Sequence, residues 1–429
     1  MAHPTDMRIL QVSCNDHQGG AARAATRLHQ ALSLDPGISS KMFVVNKTSD
    51  VPNIESFQFY PFLPAKISRL LYRLGRRLHH PVSCIDGTLY SMDWNYYGAQ
   101  PARQFPESDL VNLHWIVDLL DYRANLPLLA KKTPLVWTFH DMNAFTGGCH
   151  YSNECERFTG ACGACPMLGA KEVDDLSSQT ILRKQKALQG IPDERITVVS
   201  PSNWLAGESR RSALFGRFQT EVIPNGIDPD EYTPVDRHEA RRGFGLEEKD
   251  KIILFVADAV SDLRKGFHLL NAALQELTDI EDLFVLTIGR GITEQALPCR
   301  SRHLGTINEI DRLSLAYSAA DIFVIPSLQD NLPNTILEAM SCARPVVAFR
   351  TGGMIDLVKE SQTGLLANAG DARDLAQHLR WLLDHPAQSV AMGLRGRESV
   401  LGSFTLRHQA ENYRRLYERI LDQEKLPGR

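Results

Sequence analysis

Residues 326–347, PSLQDNLPNTILEAMSCARPVV, contain the pattern that decides how this chain folds. An apolar run ends at Ser327 and another covers Pro345–Phe349, so the segment joins two candidate strands. Between them, a polar loop leads into Asn334–Cys342, where apolar residues recur at helical spacing. A strand, a helix and a second strand in such close succession predict parallel β-sheet covered by helices.

The same alternation continues outward along the 429-residue chain. The candidate strands are Arg8–Cys14, Met42–Asn46, Leu110–His114, Leu135–His140, Ile196–Ser200, Lys251–Ala257, Leu283–Gly289, Ile322–Ser327 and Pro345–Phe349. At roughly 100–200 residues per domain, the length favours two domains. Residues 222–234, VIPNGIDPDEYTP, mark the boundary, because three prolines and an Asn-Gly pair break helices and central strands. We predict α/β domains at 1–225 and 226–404, followed by an amphipathic helix within 405–429.

Composition and charge narrow the function classes. The chain has 47 Lys and Arg against 51 Asp and Glu, a balance that argues against a nucleic-acid partner. The sequence has no apolar run of the roughly 18 residues that would span a bilayer. Its first residues also lack the layout of a secretory signal. These features predict a cytoplasmic protein.

Residues 66–80, KISRLLYRLGRRLHH, combine an apolar stripe with a basic face. The stripe consists of Ile67, Leu70, Leu71, Leu74 and Leu78, and the basic residues are Lys66, Arg69, Arg73, Arg76 and Arg77. A helix of this kind lies on an anionic membrane surface. Alternatively, its stripe packs on the core and its basic face is solvated. The first alternative predicts peripheral contact with the cytoplasmic face of the inner membrane.

Ligands of doubly wound sheets bind at the carboxyl ends of the strands, so the residues that follow each strand are candidates. Gly19 and Gly20 follow the first strand, where a backbone can approach a ligand and helix N–H groups can face an anion. A simple turn is the alternative. His140 and His114 end neighbouring candidate strands, and two such histidines favour a site over a structural role. No strand is followed by G-x-G-x-x-G, which disfavours a dehydrogenase.

Charged and polar residues follow two strands of the second half. Arg264 and Lys265 precede a glycine. The planar guanidinium of an arginine beside the ammonium of a lysine suits a diphosphate. A solvated surface loop is the alternative. The segment after Pro326 contributes Asp330, Asn331, Asn334, Thr335 and Glu338. Carboxylates accept hydrogen bonds from sugar and ribose hydroxyls, and helix N-terminal N–H groups face an anion. The sequence therefore predicts a site for an extended, phosphorylated ligand.

Four of the eight cysteines crowd into residues 147–168. Cys149, Cys155, Cys162 and Cys165 have the spacing C-x5-C-x6-C-x2-C, which predicts a structural zinc site. His150 is a substitute ligand in this interpretation. Disulfides, free thiols or an iron–sulfur cluster are the alternatives. Catalytic zinc is not expected, because four cysteines leave no open position.

Together these motifs resemble retaining glycosyltransferase family 4. The family signature is Ser, two residues, Glu, seven residues, Glu, Ala-Met and a Pro-Val-Val strand. The matching residues are Ser327, Glu338, Ala339, Met340, Pro345, Val346 and Val347, and Asp330 stands where the family has Glu. Further matches are Gly19-Gly20, Thr138–Asp141, Ser200–Ser202, Ile223–Asp228, Arg264–Gly266 and Gly352-Gly353. The cysteine-rich insert resembles that of exopolysaccharide enzymes of the colanic-acid type.

The resemblance implies a GT-B fold, in which two Rossmann-like doubly wound domains face a central cleft. It implies that 1–225, with the insert 147–168, is the acceptor-side domain and that 226–404 binds the nucleotide-sugar. Residues 405–429 would form a helix that crosses back to the first domain. The implied activity is transfer of a sugar, with retention, from a nucleotide-diphosphate-sugar donor. The implied acceptor is a saccharide, or a lipid-linked saccharide, in bacterial polysaccharide biosynthesis.

The resemblance also assigns roles to the candidate residues. Arg264 and Lys265 would neutralise the leaving diphosphate, Glu338 would bind the ribose, and Asp330 and His140 would contact the donor sugar. Gly19, Gly20, Asn331, Asn334 and Thr335 would complete the donor site. The chemistry requires no cofactor. Two alternatives to a transferase are a nucleotide-sugar epimerase of the same fold and a catalytically degenerate GT-B partner subunit.

Overall fold

The computed structural model describes residues 7–60, 89–291 and 296–425. The predicted basic helix at 66–80 lies outside these ranges. The chain divides into one unit of Met1–Ile223 with Ala410–Arg429 and a second unit of Pro224–Gln409. The division at 223/224 lies two residues before the predicted boundary, because Asn225 and Gly226 bind within the second unit. The Asn225 side chain donates to Asn334 Oδ1 at 3.1 Å, and the Gly226 N–H donates to Gln409 Oε1 at 3.0 Å.

The first unit contains a seven-stranded sheet in the order β3-β2-β1-β4-β5-β6-β7, and all its strand pairs are parallel. Its strands are β1 (Met7–Val12), β2 (Ile38–Val44), β3 (Ile54–Ser56), β4 (Leu110–Leu113), β5 (Leu135–Thr138), β6 (Ile196–Ser200) and β7 (Gln219–Val222). Strand β1 pairs with both β2 and β4, so the strand order reverses there. Such a switch point is where open α/β sheets bind ligands.

Up to Val222, the described residues of the first unit form five helices along with these strands. They are α1 (Gly20–Ser33), α2 (Gln100–Arg103), α3 (Tyr122–Lys132), α4 (Leu176–Leu188) and α5 (Asn203–Arg211). Three of them begin at side chains that accept a hydrogen bond from the backbone N–H three residues later: Asp121, Asp175 and Ser202. Short 3₁₀ turns occupy Asn143–Phe145, Arg157–Thr159, Pro166–Leu168 and Asp193–Arg195.

The second unit contains a six-stranded parallel sheet in the order β10-β9-β8-β11-β12-β13. Its strands are β8 (Lys251–Ala259), β9 (Leu283–Arg290), β10 (Arg300–His303), β11 (Ile322–Ile325), β12 (Val346–Phe349) and β13 (Gly364–Ala367). Its helices are α6 (Arg237–Gly243), α7 (Phe267–Gln275), α8 (Ile310–Ala319), α9 (Asn334–Ser341), α10 (Met354–Leu357), α11 (Ala372–Asp384) and α12 (Pro386–Ser403). The residues of β11 and β12 are all buried, as expected for parallel strands with helices on both faces.

The predicted fold class is therefore confirmed, and each predicted strand coincides with an observed one. The strands that the sequence did not reveal are β3, β7, β10 and β13, which are the two edges of each sheet. Strands β7 and β10 are partly exposed, and their sequences, such as RSRH in β10, lack the apolar run that marks a central strand, while β3 and β13 are short.

The last helix, α13 (Leu406–Glu424), packs its apolar face on the first unit from Ala410 onward. The buried residues on that face are Tyr413, Leu416, Tyr417 and Ile420. They share one core cluster with Ile9 of β1, Leu110 of β4 and Val136 of β5. The predicted apolar stripe of this helix is confirmed. In the described residues, no helix is both long and apolar enough to span a membrane.

Gly266 permits two loops of the second unit to approach each other closely. It lies at the end of the 3₁₀ turn Leu263–Lys265 and has a φ of +74°. A Cβ atom on Gly266 would stand 1.8 Å from the carbonyl oxygen of Pro326. No side chain fits at that distance, so only glycine allows the loop after β8 to cross the end of β11.

Gly266→Ala tests this close approach. We expect the free energy of unfolding to fall by about 2 kcal/mol or more, because the loop must separate from Pro326 or adopt a strained φ. Gly243→Ala is the matched control, since a Cβ atom there meets nothing within 4 Å. This helical residue should keep or raise the stability by up to about 1 kcal/mol. Urea unfolding of both variants measures the difference, and equal stabilities would contradict the interpretation.

Candidate active site

Asp330 joins the two basic residues that follow β8. Its Oδ2 atom accepts a hydrogen bond from Lys265 Nζ at 2.5 Å and lies 3.5 Å from Arg264 Nη1. Arg264 Nη1 also donates to the carbonyl oxygen of Gln329 at 2.9 Å, and its Nη2 lies 3.4 Å from Asp262 Oδ2. The loops after β8 and β11 thus meet in one ion cluster, which we call the Asp330 cluster and define as Arg264, Lys265 and Asp330.

The charges of the Asp330 cluster are strongly coupled. Burial of the Asp330 carboxyl would raise its pKa, but the charges of Lys265 and Arg264 and two hydrogen bonds lower the pKa below its usual value. Those bonds come from Lys265 Nζ and from the N–H of Asn331. Asp330 is therefore ionised. The cations remain partly open to solvent, with 17% of the Arg264 side chain and 20% of the Lys265 side chain exposed.

A glycine pair supports the backbone of the Asp330 loop. The N–H of Gly353 donates to the carbonyl oxygen of Asp330 at 3.0 Å. Gly352 has a φ of +57°, and a Cβ atom on it would stand 2.2 Å from the same oxygen. The Gly-Gly motif after β12 therefore supports the position of Asp330 through the backbone.

Glu338 has a separate partner within the same unit. It is buried on α9, and its Oε2 atom accepts a hydrogen bond from the hydroxyl of Tyr317 at 2.8 Å. Tyr317, on α8, was not predicted as a site residue, since its place in an apolar stripe marks it only as core. Asn334 is the first residue of α9 and accepts from Asn225, and Thr335 follows it in the first turn.

Helix α9 begins without a side-chain cap, since the residue before it is a proline. The hydroxyl of Ser327, at the end of β11, is buried and finds no hydrogen-bond partner in the part of the chain that the structure describes. Buried hydroxyls are normally paired, so an unpaired one beside the Asp330 loop is a candidate contact for a ligand.

In the first unit, the two histidines predicted at strand ends are in direct contact. Nδ1 of His114 lies 3.0 Å from Nε2 of His140, and the two rings are stacked. Burial lowers the pKa of His140 to about 4, against the opposing charge of Asp141. Burial, and then the neighbouring His140, lower the pKa of His114 well below its usual value. Both imidazoles are therefore neutral at neutral pH.

A hydrogen-bonded chain links His140 to the C-terminal helix. Nε2 of His114 lies 2.8 Å from Oε1 of Gln11, whose amide nitrogen donates to the hydroxyl of Tyr417 at 3.3 Å. Asn112 donates to the same hydroxyl at 2.9 Å. His114 donates its Nε2–H to the Gln11 oxygen, so Nδ1 of the neutral His114 carries no proton and can only accept. His140 must therefore donate its Nε2–H to His114 Nδ1. The chain thereby sets the tautomer of His140.

The predicted glycines form the beginning of α1. Gly19 has a φ of +91° and precedes Gly20, the first residue of the helix, which has no side-chain cap. The loop before them is held by Asp16, whose carboxylate accepts hydrogen bonds from the backbone N–H groups and hydroxyls of Thr48 and Ser49. Burial would raise the pKa of Asp16, but these four donors lower it. Sequence reasoning did not single out Asp16.

The four clustered cysteines line one small cavity in the first unit. The described cysteines form no disulfide, and in the described residues no three His, Cys, Asp or Glu side chains stand at the spacing of a bound metal. His150 is not a substitute ligand, contrary to the expectation from sequence. Its Nδ1 lies 2.7 Å from Asp141 Oδ2 and its Nε2 lies 2.8 Å from the hydroxyl of Ser91, so both ring nitrogens have other partners.

Residues 250–385 match the family model described as glycosyl transferases group 1. The match lies within the second unit, Pro224–Gln409. The matched range contains the Asp330 cluster, Tyr317 and Glu338, so the site described above lies within it. The other unit and α13 lie outside the matched range.

Curated relatives match over less than half of the chain. It is 30% identical over 218 residues to a 2-deoxystreptamine glucosyltransferase from Streptomyces kanamyceticus, a match of 48% of this chain and 56% of the relative. It is 31% identical over 182 residues to a D-inositol 3-phosphate glycosyltransferase from Geodermatophilus obscurus, a match of 38% of this chain and 40% of the relative. The chain therefore spans about half the length of the curated relatives it matches.

Solved structures match over nearly the whole chain. A sucrose-phosphate synthase from Thermosynechococcus elongatus aligns over 97% of this chain and 100% of its own, with 21% identity and a TM-score of 0.67. HepE from Anabaena, solved with UDP and glucose, aligns over 96% of this chain and 99% of its own, with 17% identity and a TM-score of 0.64. At these identities the likeness shows the fold alone, and it confirms the GT-B class.

Tyr417→Phe tests the chain of hydrogen bonds that ends at His140. We expect the free energy of unfolding to fall by about 2–4 kcal/mol, because the amide donors of Gln11 and Asn112 lose a buried acceptor. The matched control is Tyr413→Phe on the same helix face, which removes one bond to the hydroxyl of Thr138 and should cost about 1 kcal/mol. Chemical denaturation compares the two, and an equal loss would contradict the role of Tyr417.

Proposed function

We propose that this protein transfers a sugar from a nucleotide-diphosphate-sugar to a saccharide acceptor, with retention at the anomeric carbon. The observation that carries this proposal is the Asp330 cluster within the range that matches the group 1 glycosyltransferase model. Two adjacent cations, partly open to solvent and held by one buried carboxylate, suit the diphosphate of a leaving nucleotide.

The donor class has support from two relatives. HepE was solved with UDP and glucose, and one curated relative is named a glucosyltransferase. The first description names a nucleoside diphosphate beside a hexose, and the second names a glucosyl group as the one transferred. We extend this class to the present chain, because its Asp330 cluster offers the charges that a diphosphate requires.

In the proposed reaction, the bond between the anomeric carbon and the diphosphate oxygen breaks with its electron pair leaving on the diphosphate. The acceptor hydroxyl oxygen bonds to the same face of that carbon and gives its proton to the departing phosphate oxygen. Lys265 and Arg264 stabilise the charge that develops on the diphosphate, the largest electrostatic demand of this step. Asp330 holds both cations in place. No cofactor is needed.

Other predicted residues would position the donor. Glu338, fixed by the hydroxyl of Tyr317, would accept hydrogen bonds from the ribose. The N-terminus of α9, with Asn334 and Thr335, would face a phosphate, and Asn331 would border the sugar. From the first unit we propose Gly19 and Gly20 as a backbone contact to the ligand. His140, in its fixed tautomer, would bond to a sugar hydroxyl.

We further propose a lipid-linked acceptor in the assembly of a bacterial polysaccharide, reached at the cytoplasmic face of the inner membrane. The support is the sequence pattern of residues 66–80, in which basic residues flank an apolar stripe. The resemblance of the cysteine-rich insert to that of exopolysaccharide enzymes adds to it.

Substitutions in the Asp330 cluster test the proposed transfer. A thermal-shift screen of nucleotide-sugars first finds the donor, which stabilises the folded protein by mass action. Transfer of labelled sugar to a saccharide acceptor is then measured. We expect Lys265→Ala to lower the transfer rate by about 100-fold or more, because one cation at the leaving diphosphate is lost. Asp330→Asn should also lower it, since Lys265 and Arg264 lose their anchor, and Glu338→Gln should raise the KM for the donor.

The matched control is Asp279→Asn, which breaks an exposed ion pair with Arg380 elsewhere in the second unit and should leave transfer unchanged. Full transfer activity in Lys265→Ala would refute the role of the Asp330 cluster. Interconversion of the donor without an acceptor would instead favour an epimerase. Function that survives both Asp330→Ala and Glu338→Ala would favour a catalytically degenerate partner subunit.

Replacing Arg69, Arg73, Arg76 and Arg77 with Gln tests the membrane contact. Each basic residue near an anionic surface contributes about 1 kcal/mol, so we expect binding to phosphatidylglycerol vesicles to weaken by about 100-fold or more. Co-sedimentation with the vesicles measures this. Lys131→Gln with Lys132→Gln, at exposed positions of α3, is the control and should bind like the parent chain. Equal binding of both variants would contradict membrane docking by residues 66–80.

A further inference from the structure

The insert 147–168 has little of the structure that normally orders a polypeptide. Its only regular elements are the 3₁₀ turns Arg157–Thr159 and Pro166–Leu168, and its large buried apolar side chains are Phe158 and Met167. Two such side chains bury too little apolar surface to offset the entropy of ordering twenty-two residues. The insert therefore depends for its order on polar contacts as well, such as those of His150 with Asp141 and Ser91.

The four cysteines of the insert surround a single cavity. Cys149, Cys155, Cys162 and Cys165 all line it, and the space inside is about that of one water-sized particle. Cys149 forms a β-bridge with Tyr90, and Cys165 directly precedes the 3₁₀ turn Pro166–Leu168, so residues from both ends of the insert meet at the cavity. We propose that these four thiolates bind one structural zinc ion in this cavity.

The charges around the cavity compensate a thiolate cluster. A zinc ion with four thiolates carries a net charge of about −2. Arg157 lines the cavity, and the ammonium of Lys184 is buried close enough for its charge to act on Cys149 and Cys162. Lys184 also donates to the carbonyl oxygens of Asn143 and Thr146, which fixes it beside the insert. One cation thus lines the cavity and a second is buried beside the insert, while the carboxylate of Asp175 accepts a hydrogen bond from the Cys165 N–H at 2.7 Å.

The backbone between Cys162 and Cys165 makes a tight turn. Cys162, Gly163 and Ala164 all have positive φ values, of 55°, 94° and 43°. A Cβ atom at Gly163 would stand 2.2 Å from the carbonyl oxygen of Val173, so glycine is required there. Such a turn is costly in free energy and persists only when its surroundings hold it. Side-chain rotations of the cysteines would bring the sulfurs from the cavity wall to zinc.

Metal analysis of the full chain tests the proposal. We expect protein purified without chelators to contain about one zinc ion per chain by mass spectrometry of the elements. Cys162→Ser and Cys165→Ser should each lower that content at least about tenfold. Cys299→Ser, in the second unit and outside the insert, is the control and should keep the zinc. Cobalt(II) exchanged into the parent chain should show thiolate-to-metal charge-transfer absorption.

If a variant fails to fold, measurements on the parent chain alone still test the proposal. Zinc removal by a chelator should release four thiols to a thiol reagent and lower the unfolding temperature, and added zinc should reverse both effects. A zinc content near zero with all thiols titratable would overturn the proposal. So would a mass decrease of the untreated protein that shows two disulfides, or absorption by an iron–sulfur cluster.

Discussion

All strand pairs within the two sheets are parallel, and this pairing determines which loops can meet. Ile253 of β8 pairs with Ile322 of β11, so the loops that follow these strands leave the same edge of the sheet side by side. The N–H of Leu328 then donates to the carbonyl oxygen of Arg264 at 2.8 Å, across 64 positions of sequence. The pairing of β4 with β5 brings His114 to His140 in the same way. The positions of the Asp330 cluster and of the His114–His140 pair both depend on this register.

The Asp330 cluster shows how one buried charge organises its surroundings. A buried carboxylate without partners would take up a proton or destabilise the fold. The two cations therefore stabilise the ionised form of Asp330, and Asp330 in turn holds the two cations. The family signature has Glu at this position, and the shorter Asp side chain here ends on Lys265 and Arg264. A ligand phosphate that approaches these cations would replace part of the attraction that Asp330 supplies. Release of the ligand would restore the original pairing.

The sequence predicted the central strands, the apolar face of α13 and the residues at the strand ends, because each leaves a local pattern. Hydrogen-bond partners that meet only in the folded protein leave no local sequence pattern. Gln11 and Tyr417 are 406 positions apart, and Glu338 and Tyr317 lie on different helices. One usable signal was present. Gln11 and Asn112 are polar residues inside buried strands, and buried amides require partners. That rule predicts a polar partner above β1 and β4, although only the fold identifies it as a tyrosine of α13.

The cysteine-rich insert and His140 are connected by a short path. Asp141 follows His140 directly, and its carboxylate binds both His150 of the insert at 2.7 Å and the N–H of Asn143 at 2.8 Å. The ring of Trp115, next to His114, stacks on His150 with ring centres 4.7 Å apart. The insert therefore contacts both strand ends that carry the paired histidines. Its order constrains the backbone on each side of that pair, since a disordered insert would release His150 and with it Asp141. The zinc ion proposed for the insert would therefore act on the position of His140 through His150 and Asp141.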